Sequence, residues 1–114
     1  MSFEVKPLDG EFGREIIGLD VQNGIDPATA AALKATWLEH GVLVFRGMGT
    51  SPEIQLELSR CFGELEPHPI ATFRHADYPE LILLSNENGP IGPVYDYDGV
   101  ETVQRIPWHT DLAF

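Results

Sequence analysis

Two helix-start signals punctuate the first half of the chain and limit what it can become. Asp26-Pro27 sets an N-cap before a proline at the first helical position, and Ser51-Pro52 repeats the pair. Thr50 with Glu53 offers a competing capping box at the second site. After the first signal, Ala30, Leu33, Trp37 and Leu38 recur near helical spacing until Gly41. After the second, Ile54, Leu58, Cys61 and Phe62 fall at i, i+4, i+7 and i+8, and Gly63 ends the helix. Between them lies Val42-Leu43-Val44-Phe45, a short apolar run typical of a buried strand. A strand set between two helices makes the expected class α+β.

More strand material flanks this pattern. Phe3 to Leu8 and Glu15 to Val21 read as two strands around a glycine-containing break at Asp9–Gly13. Leu81 to Leu84 reads as a further buried strand. Gly89-Pro90, Gly92-Pro93 and Asp98-Gly99 make Asn86–Gly99 an expected irregular loop. Trp108 to Phe114 looks like the start of another strand. No repeat is visible, and 114 residues is one domain's length.

Charge narrows the partners. Seven Lys and Arg against 18 Asp and Glu leave a net charge of −11, which repels phosphate backbones and anionic lipid. Nucleic acid and membrane are therefore not expected partners, whereas a small anionic molecule is not excluded, since a local arginine or metal can override the global field. The acidic residues are dispersed and read as a solvated surface. Cys61 has no second cysteine to pair with, and the N-terminus lacks an apolar signal core, so a cytoplasmic location is expected. Cys61 itself falls on an apolar helix stripe and is expected to be a small buried hydrophobe.

His109-Thr110-Asp111 carries the chemistry. In a strand, residues i and i+2 share a face, about 6.6 Å apart along the chain. An imidazole and a carboxylate so placed can supply two corners of a 2-His-1-carboxylate triad, which leaves positions open for cosubstrate and oxygen. Mixed N,O ligation with open positions suits Fe(II) better than structural zinc. The three residues alone equally describe a strand with a hydrogen-bonded histidine and a solvated aspartate.

Four collinear segments decide between these readings. They are Gly18–Val21, Glu39–Arg46, Arg60–Pro69 and Trp108–Phe114, and through them the chain resembles the taurine dioxygenase (TauD/TfdA) family of iron(II)- and 2-oxoglutarate-dependent dioxygenases. The resemblance implies that His109 and Asp111 are metal ligands. It places His68 where taurine-type members hold the sulfonate; the other reading of His68 is a loop histidine ordered by Pro67 and Pro69. Ala71 stands where the family has a substrate tyrosine, and Arg105 where taurine-type members carry an asparagine. Arg105 is either a salt-bridge partner for another anionic substrate or a solvated loop charge.

The resemblance also implies Fe(II) as cofactor, 2-oxoglutarate and O2 as cosubstrates, and hydroxylation of a small, anionic, sulfonate-like substrate with release of succinate and CO2. Taurine, other sulfonates, sulfate esters and aryloxy acids all remain open. Family members commonly form dimers or tetramers, so a homo-oligomer is a further expectation. The implied fold is the N-terminal portion of a double-stranded β-helix, a cupin-like jelly roll, with two flanking helices. The family's second histidine ligand and its 2-oxoglutarate-binding arginine come later in sequence order. Residues 1–114 are therefore expected to be the N-terminal part of one dioxygenase domain and inactive alone. The rival reading is a non-catalytic binding or interaction module that keeps this half of the fold. A cupin isomerase or a cysteine-type dioxygenase would need a His-x-His pair, which the sequence lacks.

Overall fold

The computed structural model describes residues 3–10, 12–84, 94–103 and 108–111. The chain divides into two compact units, Met1–Leu81 and Ile82–Phe114. The first unit holds a three-stranded sheet of β1 (Glu4–Pro7), β2 (Arg14–Ile17) and β3 (Leu43–Phe45), with β2 central. β1 runs antiparallel to β2, pairing Glu4 with Ile17 and Pro7 with Arg14. Pro7, which has no N–H to give, lies on an edge strand, where that loss is tolerated. β3 runs parallel to β2, pairing Arg14 with Leu43 and Ile16 with Phe45. Parallel neighbours need a crossover, and helix α1 (Pro27–His40) supplies it.

Both cap signals work as expected. Asp26 accepts from the Thr29 amide at 2.9 Å and from the Thr29 hydroxyl at 2.8 Å. These bonds, the backbone one first, hold the Asp26 carboxyl below its ordinary pKa. Gly41 closes α1 with φ +79° and donates to the Trp37 carbonyl at 2.7 Å. Helix α2 (Pro52–Arg60) is capped by Ser51 rather than Thr50, with the Ser51 hydroxyl accepting from the Ile54 amide at 3.4 Å. Its last capped position is Cys61, two residues before Gly63. Gly13 is required where the β1–β2 connection meets the end of α1. It has φ +89°, its amide donates to His40 at 3.2 Å, and a Cβ there would lie 2.9 Å from the Leu8 side chain.

Phe3, Ile16, Leu19 and Leu33 form the core cluster, and Val5, Leu43, Phe45, Leu58, Cys61 and Phe62 pack around it half-buried. Among the described residues only Leu33 is wholly enclosed. The apolar stripe of α1 differs from the sequence expectation. Thr29 and Leu33 are its buried residues, whereas Leu38 is 70% exposed. Trp37 sits at the rim, edge-on to Phe62 with ring centroids 5.7 Å apart. In α2 the most buried residue is Leu56, outside the expected stripe. Cys61 is only half-buried, where full burial was expected.

Three strand expectations are corrected. The second strand ends at Ile17, because Gly18 turns the chain at φ +77°. Leu81–Leu84 is not a buried strand: Leu83 and Leu84 are about two-thirds exposed, at 66% and 64%. The expected loop Asn86–Gly99 instead contains a strand. In the second unit β4 (Val94–Tyr97) pairs antiparallel with β5 (Val100–Val103), so Asp98-Gly99 is the two-residue turn of a hairpin. Asp98 at φ 51° and Gly99 at φ 78° both have the positive φ that such a turn demands. No helix among the described residues is long and apolar enough to cross a membrane.

Candidate functional site

Trp108–Asp111 is a bend followed by a turn, with no strand among these four residues. The strand expected to put His109 and Asp111 on one face is therefore absent from these residues. The turn brings His109 Nε2 to 3.2 Å from Asp111 Oδ1. Two donors each about 2.1 Å from one ion, at right angles, lie about 3.0 Å apart. The observed spacing thus fits adjacent positions on one metal, and it equally fits a hydrogen bond from imidazole to carboxylate. Both side chains are accessible, 52% for His109 and 95% for Asp111, and Trp108 beside them is fully exposed. Among the described residues no three His, Cys, Asp or Glu side chains converge on a common point.

His68 belongs to the first unit, in a segment ordered by its own hydrogen bonds. Its amide donates to the Pro79 carbonyl at 3.0 Å, and its carbonyl accepts from Arg74 Nε at 2.6 Å. The Ile70 amide donates to His68 Nδ1 at 3.1 Å, and the ring lies against Phe73 with centroids 5.9 Å apart. His75 repeats the device, taking the Asp77 amide on Nδ1 at 3.1 Å and facing Tyr78 at 5.3 Å. Arg105 lies outside the described residues.

Sequence reasoning missed the residues that tie this segment down. The Tyr78 hydroxyl donates to Glu53 Oε1 on α2, and Ser51 donates to Glu53 Oε2 at 2.7 Å. With Tyr78 first and Ser51 second, these bonds bring the Glu53 carboxyl down to about 2 and push the Tyr78 phenol up. Glu53 was visible only as a possible capping partner, and nothing in the local pattern linked it to Tyr78. A shallow cleft of about 670 Å³ opens beside the first turn of α2, between Val21, Gly24, Met48 and Glu57, and none of the sequence-predicted site residues lines it.

Comparisons with known proteins agree with one another. The model of the taurine catabolism dioxygenase TauD, TfdA family matches residues 4–114. An alpha-ketoglutarate-dependent sulfate ester dioxygenase of Pseudomonas putida is 28% identical over 115 residues, covering 100% of this chain and 34% of the relative. The (S)-phenoxypropionate/alpha-ketoglutarate-dioxygenase of Sphingobium herbicidovorans is 37% identical over 117 residues, covering 99% and 36%. The crystal structure of a taurine dioxygenase from Burkholderia xenovorans superposes with a TM-score of 0.56 at 34% identity, over 69% of this chain and 28% of that one. The chain spans about a third of the length of the curated relatives it matches.

Proposed function

The chain belongs to the TauD/TfdA family of dioxygenases, and from that premise we propose that it forms the N-terminal part of an Fe(II)- and 2-oxoglutarate-dependent dioxygenase domain of double-stranded β-helix architecture. The observation that carries the reading is the His109–Asp111 pair, two donors at coordinating separation within the matched segment. His109 would offer the neutral Nε2 lone pair, and Asp111 an anionic oxygen that offsets part of the ion's charge. Bound there with 2-oxoglutarate, the iron would supply oxygen activation coupled to decarboxylation of the cosubstrate, which leaves succinate and CO2. The remaining histidine ligand and the arginine for the distal carboxylate of 2-oxoglutarate would come from sequence beyond these 114 residues.

A small anionic substrate is the proposed target of hydroxylation. Relatives that act on a sulfate ester and on phenoxypropionate support an anionic group, without choosing between sulfur oxyanion and carboxylate. His68 would hold that group. With Nδ1 accepting from the Ile70 amide, a neutral ring carries its proton on Nε2 and presents a donor. Arg105 is proposed as a second cationic contact.

Succinate formation tests the reading. A protein carrying this chain with its following sequence is expected to convert 2-oxoglutarate to succinate in the presence of Fe(II), O2 and an anionic substrate. The 114-residue polypeptide alone is expected to give none above a metal-free blank, and calorimetry should show only weak uptake of Fe(II) or Mn(II). Tight one-to-one metal binding by the isolated chain would overturn the two-donor account. A second reading, a non-catalytic module, draws on the absence of a three-donor group among the described residues. It requires that the longer protein also fail to release succinate.

A further inference from the structure

We propose that Glu53 and Tyr78 are positioning residues for His68, fixing its ring so that Nε2–H is the proton presented to an anionic ligand. The inference rests on the reading of His68 as a substrate contact and adds what holds it in place. Nδ1 of His68 lies 3.1 Å from the Ile70 amide and 3.3 Å from the Ile70 carbonyl. A backbone N–H has a fixed direction and can only donate, so Nδ1 accepts from it, and a neutral ring then has its proton on Nε2.

That tautomer lasts only while the Ile70 amide stays within reach of Nδ1. A single 3-10 turn over Ala71–Phe73 follows, with the Phe73 amide on the Ile70 carbonyl at 3.1 Å, but one such turn does not by itself fix the segment against the rest of the fold. Here the hold runs through three links. The His68 amide is bonded to the Pro79 carbonyl, the neighbouring Tyr78 donates its hydroxyl to Glu53, and Glu53 sits in the first turn of α2. Ser51, the cap of that helix, occupies the other carboxylate oxygen, so the acceptor cannot swing away without losing a second bond. Arg74 adds a further tie by donating to the His68 carbonyl at 2.6 Å. Hydrogen bonds to an ionised carboxylate are about twice as strong as neutral ones, which makes the Tyr78–Glu53 bond the firm end of the chain of contacts.

Imidazole ¹⁵N–¹H correlation spectra of the full chain, recorded above the ordinary histidine pKa of about 6.5, test the proposal. Wild type should show His68 as one neutral form protonated at Nε2. Tyr78→Phe and Glu53→Ala should shift it toward an averaged mixture of both tautomers, and Glu53→Gln, which keeps an acceptor oxygen, should return it toward wild type. Titration with inorganic sulfate should move the His68 Nε2–H signal, with affinity reduced about threefold or more in Tyr78→Phe, a loss of the order expected for one hydrogen bond. An unchanged His68 spectrum in both Tyr78→Phe and Glu53→Ala, with the methyl signals of Leu33 intact, overturns the positioning role. If sulfate leaves wild-type His68 unmoved while its tautomer still depends on Tyr78, the positioning stands and the anion-binding reading of His68 fails.

Discussion

The segment around His68 and the segment around His109 solve the same problem in opposite ways. His68 has its amide, its carbonyl and one ring nitrogen committed to neighbours before any ligand arrives. His109 and Asp111 lie in a short turn with half or more of each side chain open to solvent. The difference teaches where each geometry comes from. A hydrogen-bond donor for a substrate gains from being fixed in advance, because ordering it on binding costs affinity. His109 and Asp111, in their proposed role as metal ligands, would be drawn into place by the ion, whose bonds are far stronger than any local turn.

This contrast can be broken most sharply at the proposed ligand pair, His109 and Asp111. In a longer protein that turns over, His109→Ala or Asp111→Ala should lower activity more than about 100-fold, beyond the usual cost of losing a supporting group around a metal. The His68 imidazole spectrum should not change in either variant. A smaller but general effect is expected in the core. Leu33→Ala should cost the first unit about 3 kcal/mol, read by urea denaturation with Trp37 fluorescence, because Leu33 is the one fully enclosed side chain among the described residues. It should also loosen the His68 segment, which hangs from a helix packed on that core. A weaker change, about 1 kcal/mol, is expected for Ser51→Ala, which removes the α2 cap and one of the two bonds on Glu53.

The smallest effect is a pH dependence. Glu53 is held at about 2 in the folded chain, below its ordinary 4.5. A depressed carboxyl stabilises the fold above the unfolded value and loses that contribution as pH falls through the folded one. The melting temperature should therefore drop between about pH 4.5 and 2, and Glu53→Gln should flatten that part of the curve. Asp26, lowered by its Thr29 bonds, adds a slope of the same sign.

Much of the first unit was legible because its signals are local. Asp26-Pro27 and Gly41 mark the ends of α1, and Ser51-Pro52 marks the start of α2, since capping chemistry depends on residues within one turn. Leu81–Leu84 misled because a four-residue apolar run looks the same whether it ends buried or exposed. The β4–β5 hairpin was hidden by the Gly-Pro pairs preceding it, although Asp98-Gly99 between alternating residues is a strong hairpin signal. His109 and Asp111 were singled out by their spacing together with the family resemblance, and the strand assumed for them is not formed at residues 108–111. The Glu53–Tyr78 bond joins residues 25 positions apart, and no periodicity encodes such a meeting.

The central place of β2 also sets an order of assembly. Its bond to β1 joins Pro7 to Arg14, a short chain closure, whereas its bond to β3 joins Arg14 to Leu43 across the whole of α1. Closure entropy rises with the length enclosed, and non-local pairings dominate folding time. The β1–β2 hairpin should therefore form early and wait, its free edge open, until α1 has formed and brought Leu43 back alongside. Slowing α1, for example by replacing Ala31 on its exposed side with glycine, should slow the appearance of the parallel pair while leaving the hairpin's own rate untouched.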